Sequence, residues 1–380
     1  MKNSGILRIG FKLLVSDKPK FSALLIGITF TTFLMLEMTA MFIGILNRAY
    51  SNVTNIGAAM WIMDPAVNTA TSPIPMPDYV LDAVRSMDEV SYAVPLFIGG
   101  ALVKLQSGTY QAVNVVGVDD TSLFGRPEVE QGNIQDIYAD NAFLVVKDVE
   151  FSKLENPKIG TSFELNDHRG TIVGIARVAS NGLMGVPTLY TTYYRAIEYI
   201  PSMRFTMSYV LVQPKSLAGV AAIKRQVARL GYAAFTKDEF NKRITDFYVY
   251  QTGIGTNMLF MTVISFIVGL SISGQTFYTF ILENLEKFGA LKAIGAKGRE
   301  LVRMILFMAT FTALTGYGLG VGLVTLMISL ARYRLPNYAA MITFSNLGVA
   351  FAMVVLIAGI SSYIGVRKVL KIEPFDIFRG

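Results

Sequence analysis

The hydrophobic pattern divides the chain into five long parts. Four apolar stretches, residues 21–46, 256–282, 300–331 and 339–366, carry almost no charge. About 20 apolar residues suffice for a helix to cross a bilayer, and each stretch exceeds that. At ~1.5 Å per residue the first reaches roughly 39 Å, enough to span with tilt. It is too long for a signal peptide, and no small-x-small site closes it. Residues 47–255 have the mixed composition of a water-soluble domain and form the fifth part.

Within 47–255 the pattern switches between period two and helical spacing. Strands are predicted at 60–63, 94–105, 110–118, 207–212 and 232–235, with helices at 78–87 and 216–230. Pro73, Pro75 and Pro77 mark a rigid turn, with Pro77 suited to a first helical position. Ser107-Gly108 marks a hairpin, and Ser216 is a candidate helix cap. The order suggests a ferredoxin-like α+β unit, residues 55–118 and 203–250, interrupted by an insert at 119–202. The insert reads as strand-rich, at 142–146, 161–165 and 171–178, with a partly apolar loop at 181–187. Residues 235–251 read as a helix leading into the second span.

The connector 283–297 is too charged to sit in lipid. Leu285, Phe288, Leu291 and Ile294 recur every three residues along it, and Gly295 supplies a stop. Spacing alone leaves two readings, a helix lying on the membrane surface or a docking knob for a cytosolic partner. Residues 1–20 form a basic, amphipathic entry, 332–338 a short outer loop, and 367–380 a basic tail.

Charge adds orientation. Segments 1–20, 283–303 and 367–380 hold fourteen Lys and Arg against six Asp and Glu, whereas 47–255 holds eighteen against twenty. The net charge of +7 therefore lies at the ends of spans. The positive-inside rule then places both termini and the connector in the cytoplasm and the large domain outside. No basic stripe with interleaved aromatics is present, which argues against nucleic acid. The fold expectation is a membrane bundle of four transmembrane helices with an extracytoplasmic α+β domain.

Candidate chemistry is sparse. One His, His168, and no Cys leave no basis for a His/Cys zinc site or a His- or Cys-dependent nucleophile. No P-loop motif occurs. The acidic pairs Asp119/Asp120 and Glu128/Glu130 read as solvated charges in turns. Glu37 lies inside the first span, where a carboxylate is costly and is a functional candidate by default. The simpler reading, that it faces another helix or is wetted near the outer interface, is preferred. Gly316, Gly318, Gly320 and Gly322 make two overlapping small-xxx-small pairs and read as helix packing.

One span, a large outer domain and then three spans resemble the layout of FtsX/MacB-type (type VII) permeases of ABC transporters. The connector Lys287-Phe288-Gly289-Ala290-Leu291-Lys292-Ala293-Ile294-Gly295-Ala296 is similar to that family's E-I-G-x-x-[KR]-A-[IL]-G-A pattern. The tail, residues 366–379 with Pro374 and a final Arg379, resembles the family's ending, and the DevC-like exporter permeases come nearest in layout. Lys287 departs from the pattern, standing where many members have Glu. The resemblance implies a non-catalytic subunit of the bacterial inner membrane. Leu285, Phe288, Gly289, Leu291, Lys292, Ile294 and Gly295 would dock a separate cytosolic ABC ATPase that carries the ATP and Mg. It further implies a homodimer of permeases, a periplasmic adaptor and an outer-membrane channel, with motion rather than cargo transmitted through the helices. An FtsX-like scaffold regulating an envelope enzyme and a lipoprotein-release permease are the alternatives.

Overall fold

The structure, a computed structural model, describes residues 3–180, 182–183, 185–200, 207–335 and 337–370. The tail motif beyond Leu370 and loop residues Asn181 and Met184 lie outside these. The chain forms two compact units, Ile45–Ile254 and Met1–Gly44 with Gly255–Gly380.

In chain order the helices are α1 (Asn3–Ser16), α2 (Lys18–Ala49), α3 (Ser51–Ile56), α4 (Tyr79–Arg85), α5 (Tyr193–Tyr199), α6 (Gly219–Arg229), α7 (Lys237–Asp246), α8 (Ile254–Glu283), α9 (Leu285–Ala293), α10 (Gly298–Arg334) and α11 (Phe344–Leu370). The strands are β1 (Met60–Met63), β2 (Val90–Lys104), β3 (Tyr110–Val118), β4 (Glu128–Gly132), β5 (Ala142–Val146), β6 (Ser162–Leu165), β7 (His168–Arg177), β8 (Thr188–Thr192), β9 (Tyr209–Pro214) and β10 (Ala233–Thr236). Helices α2, α8, α10 and α11 are long and apolar enough to cross a membrane.

The soluble unit contains the ferredoxin-like order β10-β1-β9-β2, all antiparallel, with β1 in the middle. Central β1 is buried along its whole length because both faces of the sheet are covered. Successive strand residues point to opposite faces. Met60 and Ile62 accordingly join Val80 and Val84 of α4 and Ile223 and Val227 of α6. Trp61 and Met63 join Val53 and Ile56 of α3 and Phe240 and Ile244 of α7. Trp61 meets Tyr209 at 5.3 Å and Phe240 at 5.5 Å between ring centres. A capping box, Thr236 with Glu239, starts α7.

Several boundaries differ from the sequence reading. The 15-residue β2 changes its main partner along its length: Val90–Leu96 pairs with β9 and Phe97–Lys104 with β3, while Val103 and Lys104 also pair with β6. Strand β3 then pairs with β8 and belongs to the insert sheet, not to the ferredoxin-like half. The pleat pattern of a long strand carries no mark of where its partner changes. Glu128 and Glu130 stand in strand β4, an edge paired to β7, rather than in a turn. Asp119 is buried, 8% exposed, and its carboxylate accepts from the backbone N–H and hydroxyl of Ser122 at 2.8 and 2.7 Å. The helix expected over 235–251 is α7 followed by one π turn, Phe247–Gln251, and Gly253, with φ of 75°, separates it from α8.

In the helical unit α11 begins at Phe344, later than the expected 339. Residues 338–341 instead lie along α2, where the Met341 amide donates to the Ala40 carbonyl at 2.8 Å. That close approach requires Gly44, since a Cβ there would overlap the Ala339 carbonyl. Asn346 holds the start of α11 by accepting from the Thr343 amide at 2.7 Å.

Candidate functional site

The connector folds as α9, and its ends are fixed by local chemistry. Buried Asn284, 4% exposed, precedes it, donates to the Phe280 carbonyl at 2.9 Å and accepts from the Lys287 ammonium at 2.8 Å. At the other end Gly295 takes φ of 101°, a left-handed conformation that side chains disfavour. Its amide bonds the Lys292 carbonyl and the Ala296 amide bonds Leu291, closing the helix as a Schellman turn. A second ring of polar contacts ties the connector to the bundle. Lys20 pairs with both Asp17 and Glu283, and the Lys292 ammonium donates to the Leu370 carbonyl at 3.4 Å. The Lys20 ammonium holds the Asp17 carboxyl below its ordinary range.

The residues expected to dock an ATPase divide into two groups. Phe288 is fully buried, 0% exposed, among Ile6, Leu14, Phe280, Leu301 and Val369. Gly289 is buried, and Leu285 and Leu291 lean on the same core. This corrects the assignment of Phe288 to a partner's groove, because the bundle itself fills its surroundings. Ile294 is 79% exposed, and Gly295 is exposed beside it. Glu286, Lys287, Ala290, Ala293 and Lys297 are exposed as well. Period three drifts around a helix of 3.6 residues per turn, so a run of apolar residues at that spacing must leave the buried face after about two turns. Lys292 is half-buried between the groups.

Glu37 has a partner. The Tyr338 hydroxyl donates to its carboxylate, and Arg332 donates to the Ala340 carbonyl in the same strap. The carboxylate thus fastens the loop after α10 onto α2, a partner on a loop rather than on another helix. The four glycines also separate. A Cβ on Gly316 would lie 2.7 Å from Ile28, and one on Gly320 2.6 Å from Thr32, so both admit close contact with α2. Gly318 and Gly322 meet nothing within 4 Å and are exposed, and their expected packing role is absent from this protomer. Two residues turn a helix by about 200°, which places the second pair on the far side. Sequence reading missed Gly269, whose added Cβ would strike Thr31, and Gly365, which faces Ile281. Each stands in a small-xxx-small spacing with serines, Ser265 and Ser273 about Gly269 and Ser361 before Gly365, a weaker signal than the paired glycines of α10.

Among the described residues no cluster of His, Asp and Glu could hold a metal ion. A bundle with a rigidly held charged connector, joined in sequence to a two-part α+β domain, defines a multi-pass membrane protein with a domain outside the membrane. Residues 22–230 match the MacB-like periplasmic core domain and residues 258–374 the FtsX-like permease C-terminal region. The chain belongs to the family of FtsX/MacB-type ABC transporter permeases. An uncharacterized ABC transporter permease of Mycobacterium tuberculosis is 25% identical over 357 residues, covering 92% of this chain and 94% of that protein. The periplasmic region of MacB from Actinobacillus actinomycetemcomitans matches 50% of this chain and 94% of its own, with TM-score 0.38 and 10% identity. The extracellular domain of the noncanonic ABC-type transporter YknZ from Gram-positive bacteria matches 47% and 99%, with TM-score 0.36 and 13% identity.

Proposed function

We propose that this chain couples ATP hydrolysis on a separate cytosolic ATPase to movement of its outer domain, and thereby drives export. Both termini and α9 face the cytoplasm of a bacterial inner membrane, and ATP with Mg sits on the partner. The observation that carries the reading is α9: a short charged helix between two spans of an ABC permease, with Ile294 79% exposed. Ile294 is the apolar anchor, the small Ala290, Ala293 and Gly295 admit a partner's surface, and Glu286, Lys287 and Lys297 form the rim. Phe288 acts from behind. Its burial holds α9 rigidly to the bundle, so force applied at Ile294 reaches the spans rather than bending the connector.

Two copies pair in this reading. Of the four spans α8 is the least buried, 22% in its most apolar window. Ser271 and Gln275 are exposed there, one turn apart on one face. Polar side chains in hydrocarbon favour association that satisfies them, and a second α8 does so. Outside, the domain meets a periplasmic adaptor continuous with an outer-membrane channel.

The chain has no native Cys, so Ile294→Cys carrying a benzophenone maleimide gives a unique crosslinker. A P-loop ATPase is the expected product in the native host, and an adaptor retained with the complex supports export. Crosslinks to lipid alone, under conditions that preserve a known ABC complex, overturn the docking assignment. An ATPase crosslink with an envelope hydrolase in place of the adaptor assigns the chain to the scaffold class.

A further inference from the structure

The Ile45–Ile254 unit carries an open-mouthed cavity of about 620 Å³ that no part of the coupling reading uses. It lies where α3 faces β3, β8 and the C-terminal half of β2. Three polar side chains on its wall are more than nine-tenths buried: Ser51 at 4% exposed, Asn52 at 8% and Tyr190 at 1%. No hydrogen bond to another described residue engages the side chain of any of the three. Each of the three lines the cavity, so a molecule entering it meets their polar groups. The neighbouring turn of α3 shows the contrast. Asn55 exchanges two hydrogen bonds with Ser180, at 2.8 and 3.0 Å, and closes one side of the cavity.

The rest of the wall is apolar, with Leu102, Val113, Val146, Val178, Leu183 and Val186. Leu102 is 56% exposed on it. Among the described lining residues there is no Lys, Arg or His, and Asp148 is the one carboxylate. Asp148 accepts nothing from a lining side chain; its Oδ1 accepts the Glu150 amide at 2.8 Å. Burial keeps the Tyr190 hydroxyl protonated, so it offers a donor as well as an acceptor. The volume falls in the range of pockets that take drug-sized molecules, roughly 300–1,000 Å³.

We infer that this cavity binds a small amphiphile with a protonated amine: the amine against Asp148, hydrogen-bonding groups against Tyr190, Ser51 and Asn52, and an apolar body along the valine and leucine wall. An anionic ligand finds no counter-charge on this wall and a carboxylate to repel it. Binding as such is independent of the coupling mechanism. Service as the cargo site rests on the permease reading above.

The experiment uses the full chain in nanodiscs without nucleotide or ATPase, so its failure leaves the coupling reading untouched. A diazirine-bearing octylamine and its neutral octanol analogue are the probes, and mass spectrometry scores labelling on cavity peptides only. The amine is expected to label the wild type there. Asp148→Asn lowers amine labelling about tenfold and changes the alcohol by no more than about twofold. Gly100→Phe carries a ring into the cavity from a position where a Cβ meets nothing within 4 Å, and is expected to abolish labelling by both probes. Undiminished amine labelling in a folded Asp148→Asn, or in Gly100→Phe, overturns the assignment. So does a wild type that labels no more strongly with the amine than with the alcohol, a comparison that requires no variant to fold.

Discussion

Phe288 and Ile294 are both large and apolar and sit on the same short connector, yet one is 0% exposed and the other 79%. The difference separates two jobs that a single hydrophobic stripe conceals. Phe288 packs α9 onto the bundle, and Ile294 stands exposed at its end. The glycines of α10 repeat the lesson: Gly316 and Gly320 admit α2, while Gly318 and Gly322 face open space.

The sharpest break in the comparison is substitution by Asp on each side of α9. Truncating a buried Phe costs about 3–5 kcal/mol, and a buried unpaired carboxylate adds to that. Phe288→Asp is therefore expected to abolish monodisperse protein in size-exclusion chromatography. Ile294→Asp should leave the chromatogram and melting temperature unchanged while cutting ATPase-coupled activity more than about tenfold. Equal loss of folding in both variants would mean that the two faces do not differ.

Next in size is the glycine pair. Overpacking costs typically about 1–3 kcal/mol, so Gly320→Leu should lower the unfolding temperature in nanodiscs. Gly318→Leu should not. If Gly318→Leu instead lowers the dimer fraction, the far face of α10 is an interface between copies.

The Glu37 fastening is smaller. Tyr338→Phe removes the donor to a carboxylate and should cost about 0.5–2 kcal/mol of thermal stability, with Glu37→Gln milder because an amide oxygen still accepts. An unchanged melting curve in Tyr338→Phe would show that the Met341–Ala40 and Arg332–Ala340 bonds hold the strap without it.

The weakest expected effect is on the pH dependence of amine labelling in the cavity. Burial, joined by the nearby Glu150 carboxylate, raises the Asp148 pKa; the Glu150 amide that its carboxylate accepts from, and more weakly Arg48, oppose the rise in part. Glu150 is itself paired with Lys153 at 2.6 Å. The amine stays protonated throughout, so binding is present while Asp148 is ionised and is lost as pH falls through its raised pKa. Labelling by the amine should begin to decline at a higher pH than the usual aspartate range, with the alcohol unaffected. Parallel decline of both probes would point to unfolding instead.

Much of this was legible from local pattern. Four spans, the capped connector and the ferredoxin-like strands follow from runs and periods that depend on residues close in sequence. The Gly295 stop is of the same kind, because it rests on one residue's backbone freedom. What pattern could not resolve was which partner each face meets. Strand β3 was assigned to the wrong half because β2 changes partners midway, and β4 was read as a turn because an edge strand tolerates charge. The cavity was legible only in the apolar loop at 181–187, since Ser51 and Asn52 lie about a hundred residues from Asp148 and still further from Tyr190 in the chain.

The sequence by itself determined the four membrane spans, the charged connector and the order of the ferredoxin-like strands. Those depend on composition and spacing, which are local. Only the tertiary structure decided that Phe288 belongs to the bundle and Ile294 to its surface, that Glu37 is answered by Tyr338, and that three buried polar groups converge on one cavity. Each of these depends on which distant surface covers a side chain, and burial, unlike periodicity, is a property of two surfaces at once.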